Sequence, residues 1–321
     1  MTVRIAFGII TARESVHAVT QLVDAIGPDH PIFIHHDFTK QRDFEIRRPN
    51  VHFVANPIVT QWGAWEFSEA ILLTMRTALK QSNVDYFQLL SGSCLPVRPI
   101  EEFERFTAHD ASDVNMDVMS IDEDSEAMMS HGFRLFAASD TFRHRLLRRT
   151  RRWYYDSGAH TVQRSGLGIR KRNDDERAVT LPARAQIARM LIQIARQGYL
   201  FKHPYGQIWL PYIGSTWFGC KPEVAEFIAY RADNDPTLSF MRAAALADEL
   251  YFQTLVGNSP FSIGPSNHLI NDFVDAHPLK FGIQDAAKIF GSGKFFARKF
   301  EDDDRHVTRL RILQELNAVA A

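Results

Sequence analysis

Apolar and polar positions fall in alternating blocks along the first hundred residues. Residues 3–10 form an apolar run broken only by Arg4, and they read as a buried strand. Residues 15–26 carry apolar positions near helical spacing, and 31–35 are a second short apolar run that ends in the polar cluster His35, His36 and Asp37. Residues 51–54 read as a third strand and 66–79 as a strongly amphipathic helix. Residues 85–90 form another buried-strand pattern, which runs into the turn-rich Ser91-Gly-Ser-Cys-Leu-Pro96. This strand–helix–strand alternation predicts an α/β fold with a mainly parallel, doubly wound central sheet flanked by helices. Ligands of such sheets sit at the C-terminal ends of the strands, which places both His35–Asp37 and Ser91–Cys94 on one candidate nucleotide-binding rim.

The middle of the chain changes character. From about 110 to 182 it opens acidic, with Asp117, Asp122, Glu123, Asp124 and Glu126. It then turns basic, with Arg143, Arg145, Arg148, Arg149, Arg151 and Arg152 ahead of Trp153, Tyr154 and Tyr155. A basic helix and a loop over about 165–176 are expected within an insertion at about 115–180. The α/β pattern then resumes, with helices over 184–196, 222–231, 241–256 and 305–319 and a strand over 213–218. No repeat or low-complexity linker interrupts it, so the expectation is one domain over 1–321 that carries the insertion.

Composition narrows the possibilities. The 321 residues are 45% hydrophobic and 23% charged with a formal net charge of -1, which favours neither a nucleic-acid binder nor an acidic tail. Two cysteines, Cys94 and Cys220, both in apolar stretches, argue against a disulfide framework and for a reducing, cytoplasmic setting. The N-terminal apolar run is short and lacks a secretory cleavage pattern, and no segment approaches the ~20 apolar residues of a membrane span. Any membrane contact is therefore expected to be peripheral, at the inner face, with the Arg143–Tyr155 stretch as its candidate. The alternative for that stretch is the solvated face of a packed helix. Thirteen histidines include no His-x-x-x-His spacing, and there is no Cys-x-x-Cys, so no structural zinc is expected. The absence of Gly-x-Gly-x-x-Gly after the first strand, and of a Gly-Lys-Ser/Thr loop, argues against a dehydrogenase or a P-loop kinase.

Six short segments then carry a specific resemblance. In order they are Ile32-Phe-Ile-His-His-Asp37, Gln61-Trp62-Gly-Ala-Trp-Glu-Phe-Ser-Glu-Ala70 and Tyr86-Phe-Gln-Leu-Leu-Ser-Gly-Ser-Cys-Leu-Pro96. They continue with Gly214-Ser-Thr-Trp-Phe218, with Ala247-Asp-Glu-Leu-Tyr-Phe-Gln253 followed by Asn258-Ser-Pro260, and with Phe296-Ala-Arg-Lys-Phe300. In this order, over about residues 5–302, the chain resembles the core-2/I-branching β-1,6-N-acetylglucosaminyltransferase family. Peptide O-xylosyltransferases are relatives within it. The resemblance implies a GT-A-type nucleotide-sugar fold and inverting transfer, best guess GlcNAc, from a UDP-sugar donor to a hydroxyl of a glycan or lipid-linked saccharide acceptor. It leaves open a UDP-xylose donor, and a module that binds nucleotide sugar without catalysis.

Residue roles follow from motif matches. Asp248 and Glu249 fall at the start of a helix, where a carboxylate can face a cleft, and the resemblance makes Glu249 the general base. Asp248 and Trp217 are its candidate neighbours on the acceptor side. Arg298-Lys299 reads locally as a surface basic pair; the resemblance implies that Lys299 binds the donor diphosphate, with Arg298 as a bidentate partner. Asp37, Ser91 and Gly92 complete the expected donor contacts, with a turn-forming Asp as the alternative at Asp37. Trp62, Trp65 and Trp217 could each stack on a base or sugar face, but a Trp is more often core, so only Trp217 is taken as a site residue. No Asp-x-Asp follows an early strand: Asp122-Glu-Asp124 lacks an apolar run before it, and Asp302–Asp304 reads as a solvated loop. Neither a metal nor a cofactor is therefore expected. Two departures stand out. Cys94 occupies a position where many relatives carry Asp, and a second phosphate-binding Arg of the animal enzymes falls at or near Ala276, with His277 and Lys280 the nearest cationic residues.

Overall fold

The protein is represented by a computed structural model that describes residues 3–120, 163–165, 168–170, 210–234, 244, 246–274 and 277–320, with backbone alone for 163–165, 168–170, 274, 277 and 319–320. The N-terminal half alternates as the pattern predicts: β1 (Ile5–Thr11), α1 (Val16–Ile26), β2 (Ile32–His36), β3 (Val51–Phe53), α2 (Trp65–Gln81), β4 (Tyr86–Ser91), β5 (Leu95–Pro96) and α3 (Ile100–His109). Then come β6 (Val114–Met116), β7 (Met119–Ser120), β8 (Gln163–Ser165), β9 (Gly168–Arg170), β10 (Tyr212–Ile213), β11 (Phe218–Cys220) and α4 (Pro222–Asn234). A 3-10 turn at Ala247–Glu249 leads into α5 (Tyr251–Gly257). The chain ends with β12 (Leu269–Ile270), β13 (Phe273–Val274), β14 (His277–Pro278), α6 (Ala286–Phe290), β15 (Phe296–Ala297) and α7 (Val307–Ala320).

Six strands form the central sheet in the order β3-β2-β1-β4-β11-β6. The first four are parallel, and β11 pairs antiparallel with both β4 and β6. Every residue of β1, β2 and β4 is buried, as expected of central strands covered on both faces. The predicted α/β class with a mainly parallel sheet is thus what the chain forms. Local signals explain the helix starts and stops. The Ser15 hydroxyl accepts the Ala18 N–H to cap α1, and Gly27, at φ 87°, ends it by donating to Val23 O. Phe7, Phe33, Phe87, Phe103, Phe218 and Phe296 are completely buried around the sheet, each contributing about 1.5–3 kcal/mol of burial free energy. The C-terminal helix is tied back by Arg309. Its buried guanidinium donates to Gln21 Oε1, Glu301 O and Ala18 O, and burial lowers its pKa to about 10.

Three expectations are corrected. The strand read over 213–218 is two strands: β10 leaves to pair with β7, and β11 begins only at Phe218. A Cβ at Gly214 would lie 1.6 Å from Asp117 O, and the Gly214 N–H donates to Glu249 O, so tertiary contacts hold this residue out of the ladder. The helix read over 241–256 is broken at Leu246, which sits at φ 55° with its N–H on Gly63 O. The loop expected from about 165 begins inside the antiparallel pair of β8 and β9. The acidic letters of 122–126, the basic stretch of 143–155 and the helix over 184–196 lie outside the described residues.

Candidate functional site

The C-terminal ends of β1, β2 and β4 line one rim, and a small second sheet brings the end of the chain to it. In that sheet β15 pairs parallel with β12 and antiparallel with β5, so Phe296 faces Pro96 and Ala297 faces Leu95. The Phe300 N–H also donates to Ser93 O. This clamp sets Arg298 and Lys299 directly against the Ser91–Cys94 turn. Arg298 Nε donates to Ser91 Oγ at 3.1 Å, and Arg298 Cζ lies 5.1 Å from the centroid of the Trp217 ring. Among the described residues the two Nη groups of Arg298 make no hydrogen bond.

Electrostatics connect the rest of the expected set. Burial lowers the pKa of Arg298, opposed by Cys94, Glu14, Glu249 and Asp248, so these groups share one local field. Lys299 is likewise lowered, first by burial and then by the Arg298 charge, with Glu14 opposing. Two adjacent cations held against desolvation and their own repulsion are stabilised by any anion placed between them. Lys280, the nearest described cation in sequence, is paired with Glu301 at 2.5 Å, whereas Ala276 and the His277 side chain lie outside the described residues.

Asp248 and Glu249 lie in the 3-10 turn just ahead of α5, close to the helix-start position expected for them. Asp248 is buried and accepts a 2.6 Å hydrogen bond from Thr216 Oγ1, while Glu249 is only partly buried. Trp217, by contrast, is 6% exposed, lying against Phe67 and beneath Arg298. Its ring supports the cation and offers little surface to a ligand. Cys94 is buried, and burial raises its thiol pKa.

The His-His-Asp segment at the end of β2 is internally satisfied. His35 Nε2 accepts the Ile58 N–H, and burial lowers its pKa to about 4. His36 stacks on Phe44 with ring centroids 3.9 Å apart and bonds Thr11 and Gln41, and burial lowers its pKa, so both rings act in packing. Asp37 is 1% exposed. Burial works against its charge, but Thr39, Thr60 and Lys40 together hold its carboxyl well below the usual range. Both carboxylate oxygens are occupied by these protein donors, the geometry of the turn-forming alternative. Gly92 is explained by packing: a Cβ there would stand 2.7 Å from Thr11 Cγ2 and 3.1 Å from Val19 Cγ2.

Arg298 thus lies against Ser91 and Trp217, and Asp248 on Thr216 beside Glu249, while Asp37 and Trp217 are buried among protein partners. Sequence reasoning missed Glu14. Its carboxylate accepts the N–H groups of Ala12 and Arg13, and its side chain packs over Gly92. The signal was its place after β1, at the same strand-end rim. One further correction concerns Trp62, which is exposed rather than core; Asp302 and Asp303 lie exposed in a loop as expected, and Asp302 accepts the Ser15 N–H at 2.6 Å. Among the described residues no group of three His, Cys, Asp or Glu side chains is arranged to hold a metal ion, and no helix is long and apolar enough to cross a membrane.

Comparison with known proteins finds a likeness over the N-terminal half of the chain. A solved structure of a putative glucose-1-phosphate thymidylyltransferase from Bacillus anthracis, in complex with a sucrose, aligns over 97% of this chain and 95% of that one. Its identity is 10% and its TM-score 0.31, too low to carry an argument. No curated protein matches. The family model of the Core-2/I-Branching enzymes matches residues 5–154, the segment that builds β1 to β4 and the Ser91–Pro96 turn. Over residues 5–154, just under half of its length, the chain is similar to the Core-2/I-Branching enzymes.

Proposed function

We propose that the protein is an inverting, metal-independent transferase that moves a sugar, GlcNAc first among the candidates, from a UDP-sugar to a hydroxyl of a glycan acceptor. The observation that carries the reading is that Arg298, held by Ser91 and lying over Trp217, is linked through the Thr216–Trp217 segment to the turn of Asp248 and Glu249, with Lys299 beside it in the chain. In the step itself, the acceptor oxygen attacks the anomeric carbon from the face opposite the leaving group. Glu249 takes the hydroxyl proton as the new C–O bond forms. The bond from the anomeric carbon to the β-phosphate oxygen breaks, and its electron pair leaves with UDP. Arg298 and Lys299 offset the growing charge on the diphosphate, a duty that a divalent ion held by carboxylates performs in other sites. Attack from the opposite face inverts the anomeric configuration, and the transition state is oxocarbenium-like.

Donor-side support comes from Ser91, which fixes the guanidinium so that its Nη edge is left for phosphate oxygens. Thr216 holds Asp248, the residue next to the base, and backbone bonds from Gly214 and to Leu246 fix the Glu249 turn. A cytoplasmic enzyme that meets a lipid-linked acceptor through peripheral contact belongs to the same proposal. Its support is the basic, aromatic 143–155 sequence, and flotation with anionic liposomes tests it.

The central experiment measures UDP release from a panel of UDP-sugars, with and without EDTA, for the wild type, Glu249→Gln and Lys299→Ala. Turnover that survives EDTA and falls by about 100-fold or more in Glu249→Gln, with UDP affinity retained, is the expected result. A UDP-xylose preference redirects the donor assignment. Turnover that EDTA abolishes, or that persists in Glu249→Gln, refutes the mechanism.

A further inference from the structure

Trp62 is 89% exposed, the most open large apolar side chain among the described residues. The other two tryptophans near it are not: Trp65 packs edge-on against Tyr251, with centroids 5.0 Å apart, and Trp217 lies under Arg298. An exposed indole on a loose loop is unremarkable, but this loop is fastened at both ends. On one side, the Thr60 N–H and hydroxyl donate to the buried Asp37 carboxylate, and Lys40 Nζ donates to Thr60 O. On the other, Gly63 O accepts the Leu246 N–H at 2.9 Å.

Gly63 adopts φ 71°, and a Cβ there would meet Leu246 at 3.1 Å. The loop is thus pressed against the segment that continues through Ala247 and Asp248 to Glu249. Trp65 closes the loop into α2 as the first residue of that helix. The backbone on both sides of Trp62 is therefore fixed, and only its ring is left to water, between the end of β2 and the turn that carries the general base. A rigidly held aromatic face with no partner among the described residues, three residues from its own buried anchor and bonded to the base-bearing segment, is a preorganised contact surface.

We propose that the indole of Trp62 is the stacking face on which a saccharide acceptor lies while its hydroxyl reaches Glu249. This rests on the transferase reading above and adds an acceptor contact to it. A sugar ring presents a face of C–H groups that packs flat on an aromatic ring, and its hydroxyl edge stays solvated. That chemistry suits an open platform, whereas a uracil ring, planar and hydrogen-bonding at its edges, calls for a closed slot.

The test compares wild type, Trp62→Ala and Trp62→Phe in two measurements. Calorimetry gives the affinity for UDP. An array of immobilised galactose-, N-acetylglucosamine- and glucose-terminated oligosaccharides, probed with UDP present, gives saccharide retention. The expected result is retention of the wild type on at least one class, a loss of about tenfold or more in Trp62→Ala, partial retention in Trp62→Phe, and UDP affinity within about twofold throughout. Equal retention by Trp62→Ala overturns the proposal, as does failure of the wild type to bind any class. Loss of UDP affinity in Trp62→Ala overturns it in favour of base stacking. A wild type that does not bind UDP strikes the transferase reading itself, whereas normal UDP binding with unchanged saccharide retention strikes the platform alone.

Discussion

Replacing Arg298 with Ala isolates the diphosphate term of donor binding. The guanidinium uses Nε to reach Ser91, which leaves its two Nη groups for phosphate oxygens. A hydrogen bond to a charged group contributes ~1.5–3 kcal/mol, so losing a two-point contact is worth about 3 kcal/mol after partial compensation by Lys299. That corresponds to a UDP dissociation constant raised about 100-fold. Uridine, which lacks the diphosphate, should bind the variant within about threefold of the wild type. Arg298→Lys restores charge without the planar fork and should fall between, at about tenfold. Stability should change little. The variant loses a cation–π contact to Trp217 worth about 1 kcal/mol, but it also removes a charge that burial opposes. Calorimetric titration of UDP and uridine against the three proteins, with a thermal melt of each, decides the matter. Equal weakening of UDP and uridine would mean that the side chain supports the pocket without meeting phosphate. Unchanged UDP affinity would remove Arg298 from the site altogether.

Two further predictions concern the frame around the site. Gly92→Ala places a methyl group 2.7 Å from Thr11 Cγ2, an overpacking that should destabilise the fold by about 1–3 kcal/mol; an unchanged urea midpoint would show that the β1 and β4 ends separate easily. Asp117 has its pKa raised from 3.8 to about 6, chiefly by burial, with Lys294 and the Asn267 N–H opposing. The native state therefore holds the Asp117 proton more tightly than the unfolded chain does. The resulting stability is complete below about pH 4 and is lost as pH rises through about 6. Relative to Asp117→Asn, the wild type should lose about 3 kcal/mol between pH 4 and pH 8 in urea titrations, and parallel stability curves would refute the assignment.

Long, regular patterns were legible in the sequence, and short or tertiary-imposed ones were not. Strands β1, β2 and β4 and helices α1 and α2 announce themselves because one period runs through many residues. Helix α3 buries only Ile100 and Phe103, too little to stand out as an apolar stripe. The two-residue strands β5, β12 and β15 hold Arg298 in place, yet two residues define no period. Leu246 looks like one more apolar helix position, but its backbone is turned by a hydrogen bond to Gly63, some 180 positions earlier in the chain. The site shows the same division. Glu249, Arg298 and Lys299 are candidates from short motifs, and the placing of Arg298 against the Ser91 turn depends on the β5–β15 pairing. Asp37 was placed correctly at a strand end, but its saturation by Thr39, Thr60 and Lys40 is a tertiary fact. Glu14 was passed over because an acid just before a helix cap has an ordinary explanation, and only its position over Gly92 gives it another.

The segment matched to the family ends at residue 154, before Trp217, Glu249, Arg298 and Lys299. Those residues nevertheless meet the matched segment at its ligand-binding rim through independent contacts. Phe218–Cys220 lies in the sheet beside β4, Leu246 hangs from Gly63, and Ala297 pairs with Leu95. Three separate stretches of the C-terminal half carry the candidate residues, and each is fastened to a different element of the N-terminal half. The proposed site is one built by setting the second half of the chain onto the rim of the first, and these contacts are what such a site would need. The same construction makes the cation pair depend on β5 and β15 being paired, because Arg298 follows directly from Ala297. Any change that loosens that two-residue ladder should weaken diphosphate binding before it unfolds the central sheet.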